Sequence, residues 1–231
     1  MKLIIIIPAY NEELNIRNVV DDITANYPQY DYVIINDGST DNTRAVCGEA
    51  GYNLLDLPCN MGLAGAIKCG MRYATRHGYD YAVQIDGDGQ HDPSFIAPMV
   101  KAMEDEKADI VIGSRFVNST KDHSARMLGS RLISFLIKLT TRHHVTDPTS
   151  GMRLFNSKMI RKFGYSINYG PEPDTIAYLI NCGIKVSEVQ VNMKERVYGR
   201  SYLSFTRSIR YMCHMIYGIL LFQWFRKKES N

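Results

Sequence analysis

The chain has 231 residues, 45% hydrophobic and 22% charged, an ordinary globular composition long enough for one sizeable core. Its five cysteines (Cys47, Cys59, Cys69, Cys182 and Cys213) are odd in number and form no Cys-x-x-Cys pair, which disfavours a disulfide framework or a zinc site and fits a reducing cytoplasm. The net charge of +3 is uneven: the segment from Lys194 onward carries +6, leaving −3 on the first 193 residues, so a basic tail is expected to meet an anionic surface.

The opening Met1-Lys-Leu-Ile-Ile-Ile-Ile is too short an apolar run for a signal peptide, and Pro8, Glu12 and Glu13 follow where a cleavage site would stand. It reads as a buried first strand, Leu3–Ile7. Further apolar or β-branched runs at Tyr32–Ile35, Asn53–Leu57, Tyr81–Ile85 and Ile110–Ile112 are predicted strands. Between them, Glu12–Ala25, Asp41–Ala50, Gly62–Thr75 and Pro93–Glu104 have helical patterning, with Asp41 and Asp92 as N-caps and Pro93 in the first helical position. Beyond Gly113 the alternation loosens: Arg126–Thr141 and Pro173–Asn181 read as helices, Arg153–Phe155 and Val186–Val191 as strands. Strands alternating with helices predict an α/β fold, a mostly parallel sheet covered on both faces.

Ligands of open α/β sheets bind beyond the carboxyl ends of the strands. Three small polar clusters fall there: 8-PAYNE-12, 36-NDGS-39 and 86-DGDGQ-90. The third continues to His91, Asp92 and Pro93 and sets Asp86, Asp88, Gln90 and Asp92 at alternate positions. Two Asp-Gly pairs build a turn, but a turn alone does not account for so many carboxylates in one place. A calcium loop would need Gly where His91 stands and Glu where Ala97 stands. An aspartyl phosphatase would need a later lysine and acidic pair that the chain does not place. A divalent cation held with substrate phosphates accounts for the cluster, with Asp88 and Gln90 as direct or water-mediated ligands.

Seven segments in order, 8-PAYNEE-13, 36-NDGSTDNT-43, 60-NMGLAGAIKCG-70, 86-DGDGQ-90, 113-GSR-115, 147-DPTSGMRLF-155 and 195-ERVYGRS-201, resemble the family 2 glycosyltransferases of the GT-A (Rossmann-like) fold. Within that family the chain is most similar to the polyprenyl-phosphate glycosyltransferases, the group that includes dolichyl-phosphate mannose synthase. The resemblance implies that Pro8, Ala9, Tyr10, Glu12 and Asp37 cradle the base and ribose of a nucleotide-sugar donor. It also implies that Asp86, Asp88 and Gln90 hold Mg²⁺ or Mn²⁺ and the diphosphate. Residues 1–203 would form the catalytic domain and 204–231 an amphipathic helical tail.

A phosphate acceptor is already ionised near neutral pH and needs positive charge, whereas a sugar hydroxyl needs a general base. The resemblance implies Arg115, Arg126, Arg131, Ser134, Arg196 and Ser201 as the acceptor-phosphate set, with Arg196 also near the donor. Asp147 and Asp88, with Arg115, are carried over as catalytic residues; Asp147 could equally be a turn residue bonded to backbone N–H groups. Glu172 and Asp174 fall where hydroxyl-transferring relatives place their base, although Pro173 between them departs from the usual spelling. The leading expectation is inverting transfer from a nucleotide sugar, UDP-linked or GDP-mannose, to polyprenyl phosphate for cell-surface glycan assembly. The competing ones are transfer to a sugar hydroxyl, with Asp174 or Glu172 as base, and a non-catalytic nucleotide-sugar-binding subunit.

The tail decides the expected surface. Its longest uncharged run, Tyr211–Phe225, is 15 residues, short of the roughly 20 a spanning helix needs. Phe205, Ile209, Met212, Ile216, Leu220 and Trp224 are interleaved with Arg207, Arg210 and the closing Arg226, Lys227 and Lys228. This pattern suits a helix lying in a membrane interface. The alternatives are a helix packed on the protein's own core and docking to a small membrane-protein partner. Nucleic acid is disfavoured because large aliphatics interrupt the basic residues. The expected place is the cytoplasmic face of a membrane; homo-oligomer formation has no sequence signature.

Overall fold

The computed structural model describes residues 1–119, 125–167, 169–194 and 205–222, with backbone alone for 125, 126, 205–210 and 222. One seven-stranded sheet organises them, in the order β3-β2-β1-β4-β6-β5-β7. β1 (Leu3–Ala9) lies between β2 (Asp31–Asn36) and β4 (Tyr81–Gln84), parallel to both. β3 (Leu54–Asp56) extends the sheet beside β2, and β5 (Ile110–Ser114) runs parallel to β7 (Val186–Gln190). β6 (Arg153–Asn156) is inserted antiparallel between β4 and β5.

The run of isoleucines at the N-terminus is explained by this position. A central parallel strand is covered on both faces, so alternate residues must all be apolar. Ile4 and Ile6 face one core with α3 (Gly62–Arg76), α5 (Ala125–Thr141), α6 (Ser157–Arg161) and α7 (Pro173–Asn181). Leu3, Ile5 and Ile7 face the other with α1 (Ile16–Asn26), α2 (Thr43–Glu49) and α4 (Ile96–Glu106). Ile4, Ile5, Ile6 and Ile7 are all fully buried.

Several boundaries move for local reasons. The helix expected from Glu12 begins at Ile16, because the preceding backbone is engaged elsewhere: Asn11 is left-handed at φ 57°, Glu12 N donates to Thr43 Oγ1 and Glu13 N to Asp41 Oδ2. Asn42, not Asp41, occupies the N-cap of α2 and makes no side-chain cap bond; Asp41 Oδ1 accepts instead from Thr43 N at 2.9 Å. Asp92 does cap, accepting from Ser94 N at 2.9 Å, and Pro93 opens a 3₁₀ turn leading into α4. α6 and the π-helical turn Lys162–Ser166 after it were not anticipated; the short segment is held by burial of Met159, Ile160 and Phe163.

α8 (Phe205–Tyr217) and the π turn Gly218–Phe222 pack against α5 and α7. Met215 and Ile219 are buried in the main core, and Met212 sits on Gly129 of α5, where any Cβ would collide with it. The inner face of the tail helix is therefore core-forming. Residues 223–231 lie outside the described residues.

Candidate functional site

At β1 the sheet's strand order changes direction, with β2 on one side and β4 on the other. The loops leaving the carboxyl ends of β1 and β4 therefore splay apart and leave a crevice. A cavity occupies it, lined among others by Pro8, Tyr10, Glu12, Asp37, Asp86 and Asp88, with Ala9 also in its wall. The clusters read from the sequence after the first, second and fourth strands thus converge on one site.

Its walls are tied together by polar side chains. Asn11 Oδ1 accepts from Thr40 N at 2.8 Å, Asn11 N donates to Ser39 Oγ, Ser39 Oγ donates to Asn36 Oδ1, and Asn36 Nδ2 donates to Asp56 Oδ1 at 2.7 Å. Asp37 is buried, and its Oδ1 accepts from Met61 N at 2.7 Å, which fixes the start of α3 against the loop after β2. Burial pushes its carboxyl above the ordinary aspartate range, against the pull of the Met61 and Gly62 N–H groups. Gly38 must be glycine twice over: its φ is +64°, and a Cβ would lie 2.6 Å from the backbone of Cys59 and Asn60.

Asp86 and Asp88 sit on the loop after β4. Asp86 Oδ1 accepts from Gln84 Nε2 at 3.0 Å, and Asp86 N donates to His91 Nδ1 at 3.0 Å, which fixes the His91 tautomer with its proton on Nε2. Asp88 is buried and its Oδ1 accepts from Gln90 N at 3.0 Å, closing the turn that the two Asp-Gly pairs foreshadow. Gln90 is not in the lining of the cavity. Among the described residues no group of three or more His, Cys, Asp or Glu side chains forms a closed metal cage. Two carboxylates on an open wall fit a hard divalent cation whose remaining positions are filled by substrate phosphate oxygens and water.

Arg115 and Asp147, both expected to serve the reaction, are bound to each other. Arg115 Nε donates to Asp147 Oδ2 at 2.7 Å and Nη2 to Oδ1 at 2.9 Å, a two-pronged pair in which Asp147 is fully buried. The Arg115 guanidinium also lies 5.1 Å from the Phe116 ring. Glu188 on β7, inside the stretch expected to be a strand, braces the same loop. Its carboxylate accepts from Thr146 N at 2.6 Å, Thr146 Oγ1 at 2.8 Å and Asp147 N at 2.9 Å.

Arg131 and Ser134 lie on α5 and line a second cavity with Phe116, Phe135, Lys138 and His144. Ser134 itself is buried, donating to Ser130 O at 3.0 Å. The Arg126 side chain, Arg196 and Ser201 lie outside the described residues. Pro173 is explained by its place at the first position of α7, where its missing N–H costs nothing, with Glu172 at the N-cap and Asp174 in the first turn. Neither acid reaches the strand-end cavity. Asp174 is buried beneath Gly218, whose Cβ would lie 2.8 Å from that of Asp174, and Glu172 accepts from the Tyr211 hydroxyl of α8 at 2.5 Å. Burial first, and Glu172 next, hold the Tyr211 hydroxyl protonated far above the ordinary tyrosine range.

The sequence model of the glycosyl transferase family 2 matches residues 4–164. The chain belongs to this family. It is a glycosyltransferase, and its resemblance to sugar-lipid enzymes extends past the matched region. It is 32% identical over 177 residues to the UDP-N-acetylglucosamine–dolichyl-phosphate N-acetylglucosaminyltransferase of Methanococcus voltae, covering 68% of this chain and 70% of that one. It is 28% identical to the polyprenol monophosphomannose synthase of Mycolicibacterium smegmatis, covering 88% of this chain and 81% of that one. Among solved structures, glucosyl-3-phosphoglycerate synthase from Mycobacterium tuberculosis with Mn²⁺ and UDP superposes with a TM-score of 0.69 at 18% identity, covering 94% of this chain and 79% of that chain. A mannosyltransferase from Pyrobaculum calidifontis with GDP-mannose and Mn²⁺ gives 0.61 at 20% identity, covering 87% and 58%. The glycosyltransferase fold is therefore GT-A, with the antiparallel β6 inserted in its sheet.

Proposed function

We propose that this glycosyltransferase moves one sugar, with inversion, from a nucleotide sugar to polyprenyl phosphate at a membrane surface. The observation that carries the reading is the pairing of two sites on one molecule: the carboxylate-walled cavity at the strand ends, and the cavity of Arg131, Lys138 and His144 on α5. The first suits a nucleoside diphosphate. Asp37 accepts from the base, Glu12 and the backbone of Pro8, Ala9 and Tyr10 enclose the ribose, and Asp86 and Asp88 face the diphosphate through Mg²⁺ or Mn²⁺. When bound, that cation stabilises the leaving diphosphate as a Lewis acid. One relative is named for a UDP-linked sugar and two for mannose; in this proposal UDP-linked sugars are the first donor class and GDP-mannose the second.

The second site suits an anion. The guanidinium of Arg131 and the ammonium of Lys138 hold an acceptor phosphate that is itself the nucleophile, so no group has to remove a proton. Asp174, expected to be the base if a sugar hydroxyl were the acceptor, is buried under Gly218, which supports the phosphate acceptor. Asp147 then serves by fixing Arg115 at the end of β5 rather than by taking a proton. Gln90, outside the lining of the strand-end cavity, completes the proposed set with Arg126, Arg196 and Ser201, whose side chains lie outside the described residues.

Beside the α5 cavity, Leu128, Leu132, Phe135 and Leu139 make a helical stripe, with Leu128, Phe135 and Leu139 each at least 60% exposed. Tyr217 and Leu221 of the tail are exposed as well. Among the described residues no helix is long and apolar enough to cross a membrane. In this proposal residues 1–203 are the catalytic unit, and the 204–231 tail, fastened through α8, extends the same apolar and basic surface to rest on the cytoplasmic leaflet or on a small membrane-protein partner.

The test supplies radiolabelled UDP-N-acetylglucosamine, UDP-glucose and GDP-mannose in turn, with Mn²⁺ and polyprenyl phosphate in vesicles. The expected product is organic-extractable label from one donor. Label that remains aqueous with every donor refutes the proposal.

A further inference from the structure

Arg153 carries no role in the chemistry above, yet it is one of the most confined charges in the protein. Its side chain is 4% exposed and sits on β6, the antiparallel strand inserted between β4 and β5. Nη2 donates to Pro148 O at 2.7 Å, in the loop that begins with Asp147. Nε is buried with no hydrogen-bond partner, as is Oε1 of Gln84, its register partner on β4. The other end of that glutamine amide, Nε2, donates to Asp86 Oδ1. The loop just before the strand is also pressed against the same carboxylate: a Cβ on Gly151 would lie 2.6 Å from Asp86 Oδ2.

Three acid-bearing segments therefore bear on one guanidinium: the loop before β6 with Asp147 through Pro148 O, the loop after β4 with Asp86 through Gln84, and the start of α7 with Glu172 through its charge. Burial works against the charge of Arg153, and Glu172, Asp147 and Asp86 all favour it. A cation is not left in such a place for packing, because an apolar side chain of the same length would fill the volume without desolvation cost. Arg115 neutralises Asp147 from the outer side. Tyr211 gives Glu172 a hydrogen bond but no charge.

We propose that Arg153 is a positioning residue of the transferase centre, the shared counter-charge that holds Asp86, the Asp147 loop and Glu172 in one arrangement before metal and donor arrive. The inference rests on the transferase reading given above. It touches neither donor nor acceptor and acts through the carboxylates. Its loss leaves Asp86, at the wall of the metal site, without that counter-charge, and an added divalent cation takes over part of the missing charge.

The experiment compares wild type, Arg153→Lys and Arg153→Met by thermal melting with and without Mn²⁺ alone, and by steady-state sugar transfer. For Arg153→Met the expected results are a kcat lower by about tenfold or more with donor KM within about twofold, and a larger Mn²⁺-induced rise in Tm than in wild type. Arg153→Lys is expected to match wild type in the Mn²⁺ shift and to recover part of kcat. Equal impairment of both variants, or an Arg153→Met protein whose Mn²⁺ shift and kcat equal those of wild type, overturns the proposal. If Arg153→Met does not fold without metal, refolding in Mn²⁺ reads the same quantity: recovery supports the proposal and failure to recover overturns it. Absence of transfer by wild type with every donor would instead refute the transferase reading, while the Mn²⁺ melting comparison still decides the role of Arg153.

Discussion

Replacing Arg115 by methionine isolates its two-pronged ion pair with the buried Asp147. The substitution keeps the aliphatic volume and removes both prongs, the 2.7 Å bond to Asp147 Oδ2 and the 2.9 Å bond to Oδ1. Asp147 is 0% exposed, so its carboxylate cannot turn to water. Breaking a buried pair by deleting one partner costs about 3–5 kcal/mol, because the remaining charge is stranded. Arg115 retains 28% of its side-chain exposure, and Asp147 keeps bonds from the Arg115 backbone N–H at 3.2 Å and from Thr149 Oγ1 at 3.2 Å. The lower end, about 3 kcal/mol, is therefore expected. In a chain of this size that is a fall in Tm of about 6–12 °C. Urea unfolding should show a lower midpoint with the same slope. Asp147→Asn in the Arg115→Met background should cost less than in wild type, with a coupling of about 2 kcal/mol. A loss below about 1 kcal/mol for Arg115→Met, or additive single and double variants, would refute the view that this pair locks the loop.

Gly38→Ala should lose roughly 2 kcal/mol or more, since a left-handed backbone and a collision with the Cys59–Asn60 peptide act together; melting and UDP titration with Mn²⁺ read the two consequences. Tyr211→Phe removes the hydrogen bond from the α8 hydroxyl to Glu172, and should lower stability by about 1.5–3 kcal/mol because the acceptor is charged, read by urea unfolding. Asp88→Asn should reduce transfer by about a hundredfold or more at saturating donor, with the fold intact by circular dichroism, if its carboxylate faces the diphosphate cation. Cys47 is buried, and its thiol is pushed up to about 11 from an ordinary 9. The unfolded chain therefore releases this proton at lower pH than the folded one, and stability falls as pH rises from about 9 through 11, by up to about 2 kcal/mol. Cys47→Ala should flatten that part of the pH–stability curve, as followed by urea midpoints at successive pH values.

The sheet and its binding edge were legible because both rest on local signals. Consecutive isoleucines can be buried on both faces only in a central parallel strand, and polar, glycine-rich segments directly after such strands must lie at the carboxyl edge. Asp37, Asp86 and Asp88 were found in that way, and all three line one cavity. The position of Pro173 was visible in the sequence but not its meaning. Only the N-terminus of α7 shows that the proline opens a helix and turns Glu172 and Asp174 toward the tail helix.

Arg153 and Glu188 could not be found from the sequence. Each sits in a short strand where alternation predicts nothing about charge. Their importance comes from which strand lies beside which: β6 against β4 sets Arg153 opposite Gln84, which donates to Asp86, and β7 against β5 lets Glu188 accept from Thr146 and Asp147. The same holds for Arg115, which the chain presents as a free phosphate ligand and the fold commits to Asp147. Sequence by itself determined the fold class, the family and the acidic edge, since these follow from periodicity and from contiguous motifs. Tertiary structure alone decided which charges meet. An ion pair depends on distances between segments far apart in the chain, and burial sets its strength.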